Sequence, residues 1–135
     1  MSARYLVPRI FLWVLICVGL WSALSLSYTT LTGSAPCPDA AGFPVCYLVA
    51  IGYAAMLTAQ VLPAAKFRHV VFFPAWVLVF LIAALGTGFE LTVGNTCPRN
   101  SSGVPQCYFS LTFCIAIILL YLVSSDAGNR ASVNH

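Results

Sequence analysis

The sequence predicts an all-α integral membrane protein: a bundle of four transmembrane helices, built from two parallel helix–loop–helix repeats with cytoplasmic termini. Three observations lead there. The 135 residues are 61% hydrophobic and 7% charged, against roughly 25% charged in soluble domains, and mean hydropathy is +0.95. The apolar residues fall into four runs with no interior charge. A cysteine-framed phrase is written twice, as "CPDAAGFPVCY" at 37–47 and "CPRNSSGVPQCY" at 97–108.

The runs cover residues 10–28, 46–62, 70–89 and 107–123. Each holds about 17 to 20 residues, which at ~1.5 Å per residue is about what a helix needs to cross a ~30 Å hydrocarbon layer. In lipid the backbone must satisfy its own hydrogen bonds, so each run is expected to be helical. Strands of a membrane barrel alternate polar with apolar residues, and these runs do not.

Basic residues set the expected orientation. Arg4 and Arg9 precede the first run, Lys66 and Arg68 separate the second from the third, and Arg130 follows the fourth. The other side carries Arg99, with Asp39 and Glu90. The positive-inside rule then puts the termini and the loop 63–69 in the cytoplasm, and loops 29–45 and 90–106 outside. The expected location is a plasma or inner membrane, with the chain as a single domain and residues 125–135 a short disordered tail. Read as a signal peptide, the first run is too long and carries Trp13 and Trp21, whereas a signal h-region has about 7–15 apolar residues.

Laid over each other, the halves match Gly33 with Gly94, Gly42 with Gly103, Pro44 with Pro105, Cys46 with Cys107 and Tyr47 with Tyr108. Cys37 and Cys97 fall one residue out of that register. Two same-sense helix–loop–helix units imply an axis along the membrane normal. The prolines suit a turn entering a helix, the glycines a tight loop, and the tyrosines an interfacial belt. Cys37, Cys46, Cys97 and Cys107 would lie in an oxidising compartment. Pairing within each loop, Cys37–Cys46 and Cys97–Cys107, is the simplest of three connectivities, and a bond between loops, such as Cys37 with Cys97, is the alternative. Cys17 and Cys114 sit within apolar runs and are expected to be reduced.

The expected role is non-catalytic: a scaffold or accessory subunit of a membrane complex, surrounded by lipid and partnered by another membrane protein or by its own copies. The arrangement of spans and cysteines resembles the disulfide-forming DsbB and vitamin K epoxide reductase families. That resemblance implies the alternative, a membrane thiol–disulfide oxidoreductase with Cys37, Cys46, Cys97 and Cys107 redox-active and a quinone as electron acceptor. Those families use a Cys-x-x-Cys pair, which this chain lacks. Cys46 and Cys107 do open helices, where a thiol pKa is lowered, and Arg99 neighbours Cys97 in sequence. The layout is also similar to MARVEL-type tetraspan proteins, which implies an organising role. A small transporter is a third reading, weakened by the scarcity of polar groups in mid-span.

Gly19, Ala23 and Ser27 recur at four-residue spacing, as do Ala50, Ala54 and Thr58, with Ala84 and Gly88 in the third run. Such stripes allow close helix approach in lipid and are expected as packing seams, one of which could face a partner. Glu90 and Arg99 are candidate interface residues, Glu90 read as a solvated boundary carboxylate and Arg99 as a partner for it across the outer surface. Asn100-Ser101-Ser102 is an N-glycosylation acceptor pattern. His69 and His135 have no second ligand at metal spacing. The net charge of +3 comes from the topology-setting residues, so no nucleic-acid partner and no resident metal or cofactor is expected.

Overall fold

The computed structural model describes residues 3–34 and 37–134. Residues 35 and 36 of the first loop and His135 lie outside the described residues, and the side chain of Arg4 is likewise not described. The chain forms four helices: α1 (Ala3–Leu31), α2 (Val45–Val61), α3 (Ala65–Thr92) and α4 (Gln106–Val133). Three apolar segments, Leu6–Leu31, Ala65–Thr92 and Gln106–Val133, are long and apolar enough to cross a membrane. α2 is equally apolar but has 17 residues, about 26 Å of helix against a ~30 Å hydrocarbon core.

Helix α1 starts at Ala3 rather than at residue 10, and α3 at Ala65 rather than at 70. The apolar runs mark what lipid requires to be helical, while the backbone ladder continues until something stops it. Lys66, Phe67 and Arg68 stop nothing. The largest departure is at the end of the chain, where α4 continues to Val133 through the stretch expected to be a disordered tail. No proline interrupts that stretch, and the apolar helix of about five turns before it has already met the cost of nucleation.

The ends of α1 and α3 are closed alike. After α1, Thr32 N–H donates to Tyr28 O (3.1 Å) and Ser34 N–H to Thr29 O (3.0 Å), with Gly33 at φ +73°. After α3, Val93 N–H donates to Phe89 O (2.8 Å) and Gly94 N–H to Glu90 O (3.1 Å), Gly94 also at φ +73°. A left-handed residue just past a helix lets the chain turn back over the last carbonyls, and glycine takes that conformation without a Cβ penalty.

Both loops then fold back on themselves. In the first, β1 (Asp39–Ala40) pairs antiparallel with β2 (Phe43–Pro44), joined by Ala41 (φ +53°) and Gly42 (φ +84°). Positive φ at both central residues belongs to the type I′ hairpin. In the second, Arg99 and Pro105 form an antiparallel bridge. Val45 N–H donates to Pro38 O at 3.2 Å, and Gln106 N–H to Pro98 O at 3.0 Å. Pro44 and Pro105 take the N-cap positions of α2 and α4 with nearly identical extended backbones. The inserted residue of the second loop is absorbed by Asn100, whose Oδ1 accepts from Ser102 N–H (2.8 Å) and Val104 N–H (3.4 Å).

Helix α1 packs on α2 and α4, α2 on α3, and α3 on α4. Leu12, Ile16, Met56, Phe72, Val79, Cys114 and Ile117 fill the core and are at most 1% exposed. Close approach depends on two glycines. A Cβ on Gly19 would run into the Tyr53 ring, and one on Gly52 into the Val79 side chain. Trp76 Nε1 donates to Cys114 O at 2.9 Å, tying α3 to α4. At the end opposite the loops, Tyr121 stacks on Phe72 with centroids 3.9 Å apart, and its hydroxyl lies 2.7 Å from His69 Nδ1. Many large apolar side chains face outward, including Trp21, Ile51, Leu85 and Phe89, as a chain solvated by lipid requires.

Candidate functional site

The cysteine loops meet at one end of the bundle. Each carries its own disulfide, Cys37–Cys46 with Cα atoms 6.3 Å apart and Cys97–Cys107 with Cα atoms 6.1 Å apart. The pairing is local because each loop turns back within a few residues and returns its second cysteine as position two of a helix. Cys46 and Cys97 are buried, while Cys37 and Cys107 are partly exposed. Cys17 and Cys114 are free thiols, the first exposed on α1 and the second in the core.

The second bridge rests on Gly86. A Cβ there would lie 2.8 Å from Cys107 Sγ and 3.4 Å from Cys97 Sγ. The sequence pattern favours its neighbour Gly88 as a packing glycine, but Gly88 is exposed and a Cβ on it would meet nothing within 4 Å. The inward face of α3 runs through Ala83, Thr87 and Glu90, at the i, i+4, i+7 spacing of one helix face. That spacing is the sequence signal by which Glu90 could have been placed.

Glu90 is not a solvated boundary carboxylate. It is buried, and its Oε2 accepts from Thr96 N–H (2.8 Å) and Cys97 N–H (3.0 Å), while Oε1 accepts from Arg99 Nη2 at 3.0 Å. The reversal has a local cause. Gly94 and Asn95, at φ +73° and +57°, fold the chain back over the end of α3, so the next two N–H groups aim at the carboxylate. Arg99 does pair with it, with its own side chain half exposed.

Gly19, Ala23 and Ser27 are all buried within the bundle. Gly19 receives Tyr53 and Ser27 Oγ donates to Ala23 O at 2.8 Å, so this stripe serves the protein's own packing and offers no outward face. On α2 the stripe is split: Ala50 is buried, whereas Ala54 and Thr58 are exposed.

Beneath the loops the bundle is not filled. A cavity of about 440 Å³, partly open to the surface, lies between the four helices. Ser22, Ala23 and Leu26 of α1, Cys46, Val49 and Tyr53 of α2, Ala83 of α3, and Cys107, Ser110 and Phe113 of α4 line it, with Pro38, Pro98 and Asn100 from the loops. The cause is side-chain size: Ala23, Ala83 and Ser110 are too short to meet where larger residues close the other half of the core. Both disulfides reach the wall through Cys37, Cys46 and Cys107, and no charged residue among those described lines it. Sequence reading missed Gly86, Tyr53 and the cavity itself. No family model, curated protein or solved structure compared with this chain matches it.

Proposed function

We propose that this chain is a four-span membrane protein with cytoplasmic termini and two external loops held rigid by disulfides, acting as a non-catalytic scaffold or accessory subunit of a membrane complex. The observation that carries the reading is the way the bridges are embedded. Cys46 and Cys97 are buried, Gly86 abuts the second bridge, and Glu90 holds the Cys97 N–H. Thiol–disulfide exchange needs a sulfur open to an incoming thiolate, with a matching leaving group, and each bridge offers only one partly exposed cysteine, Cys37 or Cys107. Bridges packed in this manner instead fix the shape of an outer cap that another membrane protein, or a second copy, can meet. The basic residues at the opposite end support the orientation, and the matched geometry of the loops supports a two-unit repeat. A crossing by the short α2 is accommodated by local bilayer thinning or by snorkelling of flanking residues.

The test is a redox titration of protein purified without reductant, followed by mass mapping of the bridges. Structural bridges stay closed until potentials fall below about −300 mV. In Cys46→Ala and Cys107→Ala variants, the expected outcome is lower abundance and no mixed disulfide with external thiol proteins. Opening in the range of the glutathione couples, with trapped mixed disulfides at normal abundance, would overturn the reading.

One observation favours a second reading, a membrane thiol–disulfide oxidoreductase: both bridges stand on the wall of one apolar cavity. There a quinone could take two electrons and two protons from a reduced pair, leaving a quinol and a closed bridge. Quinone retained by the purified protein, together with the higher potentials above, is the result that would select it.

A further inference from the structure

We propose that the cavity beneath the loops is a binding site for a neutral membrane amphiphile, with its hydrocarbon chain reaching Tyr53 and Phe113 and its polar end at Asn100 and Gln106. This goes beyond the scaffold reading and does not depend on it.

Three features define the ligand. The first is size. An enclosed apolar cavity of roughly 150 Å³ already stays dry and takes up benzene or xenon, and this pocket, partly open to the surface, offers about 440 Å³. Water is a poor occupant, because each buried water needs two to four polar partners. Among the described lining residues, the deep walls offer only the hydroxyls of Ser110 and Tyr53.

The second feature is charge. Among the described residues, no acidic or basic side chain lines the cavity. Glu90 and Arg99 lie close by in sequence, but they face each other at 3.0 Å. A charged headgroup would enter without a counter-ion, so the site selects a neutral molecule. The polar lining is uneven: Asn100 and Gln106 stand at the loop end, while Tyr53 and Phe113 close the deep end among apolar groups. On α4 the distance from Gln106 to Phe113 is about 10 Å of helix rise, which suits a chain or a ring with a tail lying along the bundle axis.

The third feature is access. Ser22 on α1 and Phe109 on α4 line the cavity and are also exposed, so it reaches the surface along these two helices. The neighbouring surface is Val18, Trp21 and Ile115, which would face hydrocarbon. The ligand therefore enters from the lipid phase, sideways. An acyl lipid and an isoprenoid share this chemistry.

The experiment reconstitutes the full chain in phosphatidylcholine vesicles doped with an uncharged diacylglycerol bearing a diazirine on its acyl chain. After photolysis, adducts are mapped by mass spectrometry. Labelling is expected at Tyr53, Ser110 and Phe113, as well as at outward residues such as Leu85 and Phe89. Ala83→Phe should abolish the inner adducts and leave the outer ones; if it does not fold, Ser110→Leu fills the same space from α4. Solvent extraction of the purified protein identifies the retained native molecule, and either a neutral acyl lipid or a neutral isoprenoid supports the site. Outer adducts alone in the wild-type protein, inner adducts that survive filling in a folded variant, or retention of a charged lipid only would overturn it. The redox titration above is indifferent to all of these outcomes, so the two proposals fail separately.

Discussion

Arg99 and Glu90 lie 3.0 Å apart at the end of α3, and they are unequal partners. The carboxylate is buried while the guanidinium side chain is half exposed. The carboxylate also accepts the N–H groups of Thr96 and Cys97, so it organises the start of the second cysteine loop. Losing the exposed partner should therefore matter less than losing the buried one.

Thermal unfolding in detergent checks this. Arg99→Ala should lower Tm slightly, because an ion pair with an exposed member contributes little. Glu90→Ala should lower it considerably more, since two loop N–H groups lose their acceptor. Glu90→Gln keeps one carbonyl oxygen and should fall between them. Equal effects of Arg99→Ala and Glu90→Ala would show that the ion pair, rather than the backbone clamp, holds the loop.

Two glycines two positions apart on α3, Gly86 and Gly88, make a controlled comparison. Gly86→Ala places a methyl 2.8 Å from Cys107 Sγ and should cost about 1–3 kcal/mol as overpacking, with a larger fraction of reduced Cys97 and Cys107 after synthesis. Gly88→Ala meets nothing within 4 Å and should be neutral or stabilising by about 0.5–1 kcal/mol. Maleimide mass tagging reads the thiols and Tm reads the stability.

Gly52 and Val79 form a knob and hole between α2 and α3. Gly52→Ala should destabilise by about 1–3 kcal/mol, and Val79→Ala by about 2 kcal/mol through loss of buried methyl groups. Together they should cost less than the sum, because the new methyl enters space the valine vacated. A coupling of about 0.5–3 kcal/mol is expected from a double-mutant cycle. Strict additivity would place the two residues out of contact.

Removing a complete bridge, as Cys37→Ala with Cys46→Ala, should destabilise by about 2–3 kcal/mol, the chain-entropy value for closing a loop of about ten residues. The pair Cys97→Ala with Cys107→Ala should cost a similar amount, because the sequence separations are 9 and 10. Chemical denaturation in mild detergent provides the comparison.

At the other end, Tyr121→Phe keeps the stack on Phe72 and loses only the contact with His69 Nδ1. The expected cost is about 0.5–1.5 kcal/mol. His69→Ala should match it within error if the hydrogen bond is the main content of that contact. A much larger loss from Tyr121→Phe would mean the hydroxyl has a further partner.

Composition and run length determined the class of this protein: four apolar stretches and clustered charges leave lipid as the solvent and helix as the backbone. The repeated phrase determined that two loops would be built alike, since paired glycines and prolines at matched positions restrict φ locally. Local pairing of the cysteines was within reach for the same reason. What sequence could not reach depends on which helix faces which. Whether Gly86 or Gly88 meets a disulfide, and whether Glu90 turns to water or to its own loop, is decided by helix rotation and by the reversal at Gly94 and Asn95. The run of helix beyond the apolar stretches is decided by the ladder, which hydropathy does not see. The cavity belongs to no residue. It exists because Ala23, Ala83 and Ser110, from three separate helices, line one space, and only packing in three dimensions brings small side chains together.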